Sequence, residues 1–147
     1  MDRGLAVLLT AAAGGLVAMQ APMNSVLGRA VGTLQAVLIG FVIGTVALTL
    51  IVATAGGGFG DLGEARYVSW YYLTGGLLGA LYVTCVLVTV RTLGVGGVTV
   101  ATIAGQLAIS VLIDHFGLLG VERQPLTAAR LAGIALLASG TFLVVRD

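Results

Sequence analysis

Long apolar runs, separated by short polar or glycine-rich stretches, dominate the pattern of this chain. Each run has the length of about 20 residues that an α-helix needs to cross a bilayer core of about 30 Å. The pattern therefore predicts an all-α membrane protein, a single domain over residues 1–147 with five transmembrane helices. The predicted helices span residues 4–28, 34–55, 67–91, 95–116 and 125–145.

One polar stripe interrupts the fourth predicted helix at helical spacing. At about 100° per residue, its members fall within roughly a third of the helix circumference. Unpaired amides and carboxylates are costly in lipid, so we expect this face to point at other helices or at a water-filled cavity. The stripe consists of Thr99, Thr102, Gln106, Ser110 and Asp114.

Two amides near the end of the first predicted helix are candidates for lining a substrate cavity. Gln20 and Asn24 are one turn apart and share a helix face. They either line a cavity or satisfy the carbonyl groups that Pro22 leaves without a donor. Tyr82 lies deeper in the third helix than the aromatic cluster at its start, and its buried hydroxyl would need a partner. We therefore expect Tyr82 to face the same interior as the polar stripe.

The polar residues of the fourth and fifth helices suggest binding, coupling or gating. Gln106 and Ser110 form either a substrate site or a hydrogen-bonded clamp between helices, and their alignment with Asp114 favours the cavity. Asp114 and His115 are the titratable groups of the fourth helix, but they lie near its end, where a boundary role is the simpler interpretation. Arg130 lies one turn inside the fifth helix, where an arginine whose side chain reaches back to the membrane boundary is the simplest interpretation; an ion pair with Asp114 across the turn is the alternative.

Glycine spacing marks two helix faces for close packing. The second helix carries Gly40 and Gly44, and the third carries Gly75 and Gly79. Both pairs have the spacing typical of close contacts between membrane helices, although a chain with 23 glycines also produces such pairs by chance. We predict that these four glycines pack against neighbouring helices.

Composition supports the membrane class and argues against others. Of the 147 residues, 59% are hydrophobic and 9% are charged, against about 25% charged in an ordinary soluble domain. The net charge of +1 provides no basic patch for a nucleic-acid partner. The sequence carries no phosphate-loop, zinc-protease or nucleophile-elbow motif, so we predict no enzyme, no catalytic residue, no cofactor and no metal.

The positive charges give almost no instruction about orientation in the membrane. With five crossings, four arginines fall on the N-terminal side and three on the other, and orientation follows the excess of positive residues in short loops. This balance favours insertion in both orientations and a pair of oppositely oriented copies. The alternative is one orientation fixed by lipid or by a partner subunit. The two sets are Arg3, Arg66, Arg123 and Arg130, and Arg29, Arg91 and Arg146.

Five short segments carry a family resemblance in their order and spacing. They are QAPMN at 20–24, GGLLGALYV at 75–83, GQL at 105–107 with Ser110, DHFG at 114–117 and RLAG at 130–133. In these segments the chain resembles the YdcZ family, a small branch of the drug/metabolite transporter superfamily. The resemblance implies a bacterial inner-membrane protein, half of a ten-helix inverted-repeat architecture, that works as a dual-topology homodimer or an antiparallel heterodimer.

The mechanism of the wider superfamily does not transfer directly. Small multidrug exporters of this superfamily use a glutamate inside the first helix to exchange protons for drug. This chain has Gly14, Gly15 and Gln20 in that helix and no acid after Asp2. An amide does not titrate, so Gln20 can bind a polar substrate but cannot carry a proton.

The residues and the resemblance together predict a small membrane transporter. We expect an exporter of a polar or amphipathic small molecule, working by alternating access at an antiparallel dimer interface. The expected partners are membrane lipid, a second copy or homologous subunit in the opposite orientation, and the small-molecule substrate. The alternative is a non-transporting structural or regulatory membrane subunit. Polar residues inside two spans favour transport, since a structural subunit needs few of them.

Overall fold

Helices account for most of the residues that the computed structural model describes, 2–55 and 58–146. The α-helices are α1 (Arg3–Val31), α2 (Thr33–Thr54), α3 (Gly75–Phe116) and α4 (Ala128–Arg146). No strand occurs within the described residues. All four helices are long and apolar enough to cross a membrane, which confirms the predicted all-α membrane class.

The third of these apolar stretches contains enough helix for two spans. It covers Trp70–Phe116, 47 residues, or about 70 Å if it were straight, against a bilayer core of about 30 Å. Its backbone leaves the helical region at Gly94, where φ is 68° and ψ is 173°. The break falls in the predicted gap between the third and fourth spans. The segments of α3 on either side of the break, 75–93 and 95–116, fall where the third and fourth spans are predicted, and five crossings stay a prediction.

The chain divides into two compact units, Met1–Arg91 and Thr92–Asp147. In the first unit a single residue, Gly32, connects α1 to α2. Its φ of 97° is in the range that favours glycine, and a Cβ at this position would lie 2.5 Å from the side-chain oxygen of Gln35. A connection this short makes α1 and α2 antiparallel neighbours.

A seam of small residues holds the first unit together. A Cβ added to Gly28 would lie 3.6 Å from Leu87 on α3 and 3.7 Å from Ala36 on α2, so α1 approaches both helices closely at this point. Ala36 and Leu87 are fully buried. The core cluster with the side chains packed against it consists of Ala36, Val37, Leu87, Leu27 and Val83.

Two of the four glycines predicted to pack lie at helix contacts in this unit. A Cβ on Gly79 would lie 3.6 Å from a phenylalanine ring of α2, and one on Gly40 would lie 3.9 Å from the Asn24 side-chain oxygen. The other two, Gly44 and Gly75, have nothing within 4 Å among the described residues. A packing role for that second pair stays a prediction that involves surfaces outside this chain.

In the second unit, residues 95–116 of α3 pair with α4 in antiparallel fashion. The Thr141 hydroxyl donates to the Val100 carbonyl at 3.4 Å, and the Arg130 guanidinium donates to the Asp114 carboxylate near the opposite end of the pair. No described residue of α4 is buried. Most of the α4 surface is therefore open to lipid or to another chain.

Three helix ends differ from those predicted by three residues or more. Helix α1 continues to Val31 rather than ending at residue 28, because Gly32 supplies the conformation that ends it. The third helix was expected from residue 67, but Gly60–Tyr67 and Trp70–Thr74 are 3-10 turns and the α-helix begins at Gly75. The aromatic residues crowded in this stretch lose side-chain freedom in an α-helix, which disfavours it there.

The last helix begins at Ala128 rather than at residue 125. The Thr127 hydroxyl accepts from the Arg130 backbone N–H at 3.3 Å, and the Thr127 carbonyl accepts from Leu131 at 3.0 Å. These are the bonds of a helix N-cap, a position that threonine fills well. The cap, rather than Pro125, fixes where α4 starts.

Candidate functional site

A groove of about 380 Å³ lies on the second unit between α3 and α4. Most of its wall is hydrocarbon, one hydroxyl lies along it, and two opposite charges lie at one end. The lining residues are Leu107, Ser110, Val111, Asp114, Arg130, Gly133, Ile134 and Leu137. The groove therefore offers a polar head and an apolar length.

The two charges at the head of the groove form an ion pair. Arg130 Nη1 lies 3.4 Å from Asp114 Oδ2, and the two side chains are 35% and 36% exposed. The sequence offered this ion pair as the alternative to a simple boundary role for Arg130. Because it is long and a third exposed, its direct contribution to stability is small, about 0–1 kcal/mol. Arg130 also donates through Nη2 to the Gln124 side-chain oxygen, so the guanidinium is fixed from two sides.

The turn between the helices folds back on the end of α3 and positions the charged pair. The Gln124 backbone N–H donates to the Asp114 carbonyl at 2.8 Å, and Arg123 Nε donates to the His115 carbonyl at 2.9 Å. The last carbonyls of an α-helix lack helical donors, and these two bonds satisfy a pair of them. The same segment delivers the Gln124 side chain to Arg130.

His115 lies beside the groove rather than in its wall. Its ring meets Phe116 edge-on with centroids 5.0 Å apart, and its Nδ1 atom is buried without a hydrogen-bond partner among the described residues. The structure places this histidine in the last helical turn of α3, near the predicted boundary. A coupling role for it stays a prediction.

The two polar residues predicted at the middle of the stripe differ in position. Ser110 lines the groove, and its hydroxyl donates back to the Leu107 carbonyl at 3.0 Å. Gln106 is exposed and is not among the groove residues. The interhelical hydrogen bonds of the described part of this unit involve Arg130 and Thr141, not Gln106 or Ser110, which argues against the clamp interpretation.

The remaining predicted cavity residues belong to the first unit. Gln20 is exposed, Asn24 is half-buried beside Gly40, and Tyr82 is 36% exposed. The side-chain hydrogen bonds of α1 within the described residues involve Asp2 and Thr10 rather than either amide. Among the described residues neither amide bonds a carbonyl near Pro22, and a cavity role for Gln20 and Asn24 stays a prediction.

Sequence reasoning missed the α4 wall of the groove. Gly133, Ile134 and Leu137 follow Arg130 at intervals of three, four and seven residues, which places all four on one face of the helix. Leu107, Val111 and Asp114 repeat the same spacing on α3. The signal in the sequence was this shared spacing on the two helices that the turn joins, and a pattern of polar residues alone does not reveal it.

A family model described as "Putative inner membrane exporter, YdcZ" matches residues 5–143. The match covers nearly the whole chain and confirms the resemblance drawn from the sequence segments. The chain belongs to the YdcZ family. As a YdcZ-family protein it is a multi-pass inner-membrane protein of the exporter class. No curated protein and no solved structure was found to match the chain.

Proposed function

We propose that the chain exports a polar or amphipathic small molecule by alternating access at the interface between two copies in opposite orientation. The observation that carries this proposal is the α3–α4 groove, whose volume of about 380 Å³ is in the range of small-molecule sites. Membrane helices rarely carry charges away from function. Here a serine and an ion pair lie in an otherwise apolar wall.

The groove alone is an incomplete transport site, and this supports a second copy. Two helices form its floor and sides, so a bound solute needs another surface to separate it from lipid or water. Large apolar side chains are exposed along α1, α2 and α4, and every residue of 41–50 on α2 is exposed. Apolar surfaces of this kind can contact either lipid or a partner subunit. An oppositely oriented copy would supply the missing wall of the groove.

The polar residues have distinct roles in this proposal. Ser110 and the Asp114–Arg130 pair bind the polar part of the solute in the groove. Breaking and re-forming that ion pair would open and close its head. Gln20, Asn24, Tyr82 and Gln106 present polar groups outside the groove, where they would line the pathway between the paired copies.

The test is solute efflux from proteoliposomes that hold the purified chain, screened over small metabolites and amphipathic drugs. Gly133→Leu places a side chain in the groove, whereas Gly140→Leu makes the same change elsewhere on α4. Neither glycine has anything within 4 Å of an added Cβ among the described residues, so both variants are expected to fold. We expect Gly133→Leu to slow efflux at least about tenfold, and Gly140→Leu to match the parent.

Native mass measurement on the same samples tests the paired form. Parental efflux in the Gly133→Leu variant would contradict the groove, and efflux from a preparation that is entirely monomeric would contradict the interface. If no solute moves under any gradient while a stable complex with another membrane protein persists, the structural-subunit interpretation replaces transport.

A further inference from the structure

The head of the groove presents both signs of charge to the same space. Asp114 and Arg130 are each about a third exposed and their nearest charged atoms are 3.4 Å apart. A tightly bonded, fully buried ion pair would leave no charged atom accessible to a ligand. This pair is long, is open on the groove side, and is accompanied by the Ser110 hydroxyl one helical turn from Asp114.

Both members of the pair retain hydrogen-bonding capacity. In the described structure Asp114 accepts one side-chain bond, through Oδ2, although a carboxylate offers about four lone-pair sites. Arg130 donates from Nη1 to Asp114 and from Nη2 to Gln124, which leaves other donors of its guanidinium free. A ligand that brings a cation and an anion together would use both.

We propose that the groove binds a zwitterion with an apolar tail. The ligand's ammonium group binds Asp114 and Ser110, its anionic group binds Arg130, and its tail lies along Leu107, Ile134 and Leu137. This inference rests on the proposed function in one respect, that the ligand is the exported solute. It names the class of solute that the groove selects.

Charge balance explains why a zwitterion fits better than a simple cation or anion. A cation bound at Asp114 would displace Arg130 and leave the guanidinium without a counter-charge, and an anion bound at Arg130 would do the same to the carboxylate. An uncompensated charge beside an apolar wall is unfavourable, although by less at this exposure than in a fully buried site. A zwitterion exchanges one ion pair for two, so every charge keeps a partner.

The two helix ends favour the same orientation of the ligand. Asp114 lies in the last turn of α3, where the carbonyl end of the helix attracts cations. Arg130 lies in the first turn of α4, where the N–H end attracts anions. The ammonium and the anionic group would therefore each meet a favourable helix end as well as a side chain.

The length of the groove sets the size of the tail. Leu107 and Asp114 are seven positions apart, which corresponds to a rise of about 10 Å along α3. An aliphatic or aromatic amino acid fits within this length and within the volume of about 380 Å³. The head-group end of a zwitterionic phospholipid has the same chemistry, with its chain continuing past Leu137 into the bilayer.

Binding measurements on the parent protein test the proposal without any mutation. The purified chain is placed in nanodiscs of phosphatidylglycerol, which carries no ammonium group, and titrated with phenylalanine, 2-phenylethylamine and 3-phenylpropionate. These three probes share a tail and differ in head charge. We expect phenylalanine to bind at least about tenfold more tightly than either single-charge analogue, and serine, a zwitterion without the tail, to bind as weakly as they do.

A second arm separates a free solute from a lipid. Phosphatidylethanolamine is added to the nanodiscs, and the lipid that remains with the purified protein is measured by mass spectrometry. Retention of phosphatidylethanolamine that is lost in Gly133→Leu but kept in Gly140→Leu would identify the zwitterion as lipid. Preferential phenylalanine binding would identify it as a solute. Absence of both would overturn the proposal.

Two variants give a readout that misfolding cannot imitate. Asp114→Asn removes the cation partner, so 3-phenylpropionate should then bind at least as well as phenylalanine. Arg130→Gln should reverse the preference towards 2-phenylethylamine. The controls, Asp61→Asn and Arg66→Gln, make the same changes in the Gly60–Tyr67 turn and should keep the parental order. Variants that lose all probes equally, with the parent showing no preference for the zwitterion, would contradict the assignment.

The binding and transport experiments can contradict the two proposals independently of each other. Zwitterion binding without efflux of any solute would support this inference and contradict export by the chain alone. Efflux of solutes that are not zwitterions, with no preference among the three probes, would support the proposed function and contradict the assigned class.

Discussion

Arg130 joins the turn and the groove through one side chain. It bonds Asp114 at the groove head and Gln124 in the returning segment, and its backbone N–H is capped by Thr127. The shape of the turn and the charge at the groove head therefore depend on the same residue. A change here alters both, which is why the experiments above compare the order of ligands rather than the amount bound.

The stripe on α3 shows what sequence can and cannot settle for single residues. On a helical wheel Ser110 lies about 40° from Asp114, and Gln106 lies about 80° from it. The sequence correctly grouped the three on one side of the helix. It could not tell how far the wall of α4 reaches around that side, so Ser110 lies in the groove and Gln106 lies outside it. The Asp114–Arg130 pair could be foreseen as an alternative because the two residues lie at the helix ends that this turn joins.

Gly94 provides a test at the level of one backbone conformation. Its φ of 68° with ψ of 173° is a region that only glycine occupies readily, and nothing described lies within 4 Å of an added Cβ. We expect Gly94→Ala to destabilise the protein by about 1–3 kcal/mol through backbone strain alone. The measurement is the midpoint of thermal unfolding in detergent, followed by circular dichroism.

Gly96 is the matched control for this prediction. It lies two residues further along α3, in helical conformation, and it also has nothing described within 4 Å of an added Cβ. Alanine is a better helix former than glycine by about 1 kcal/mol, so Gly96→Ala should raise the midpoint or leave it unchanged. Equal midpoints for the two variants would mean that the break at Gly94 is not part of the folded protein.

Among the helical elements, α1 depends on small residues at one face. Gly28 faces Leu87 and Ala36 at the distances of ordinary van der Waals contact, whereas Gly14, on the same helix, has nothing described within 4 Å. Gly28→Leu would force three packed helices apart. Overpacking of this kind costs about 1–3 kcal/mol, so we expect a lower unfolding midpoint for Gly28→Leu than for Gly14→Leu.

The same two variants bear on the buried core. If Gly28→Leu unfolds at the parental temperature, the close approach of α1 to Leu87 and Ala36 is wrong. If Gly14→Leu is the less stable variant, the face of α1 that packs has been assigned to the wrong side.

Helix existence was predictable from the sequence, and helix ends were not. Apolar runs of span length dictate a helix in lipid, since every backbone polar group must be satisfied within it. The ends depend on local competition. Gly32 and Thr127 form caps that fix the end of α1 and the start of α4. The stretch that holds Tyr67 and Tyr72 forms 3-10 turns, which no hydrophobicity count distinguishes from the start of a span.

For the whole molecule, the balance of four arginines against three predicts a delicately set orientation. Two lysines added beside the N-terminus should drive that end to the cytoplasm, and two beside the C-terminus should drive the opposite orientation. A reporter fused to one terminus measures the population on each side. Pairs of serines at the same places are the controls, because they add length without charge.

A reporter that stays on one side through both lysine additions would contradict mixed orientation. An antiparallel partner would then have to be a different chain. The groove proposal would survive that result, since it depends on residues of one unit alone.

Because the connections differ in length, a protease cuts the protein more readily on one side of the membrane than on the other. In the five-span topology, the long segments 58–74 and 117–127 lie on the N-terminal side, whereas the opposite side has only Gly32 and the break at Gly94 between its spans. Trypsin could reach Arg66 and Arg123 on the first side, but Arg29 and Arg91 are within helices on the second. In sealed vesicles, the fraction of chains that trypsin leaves uncut between Arg3 and Arg146 would therefore equal the fraction inserted with their long connections inside.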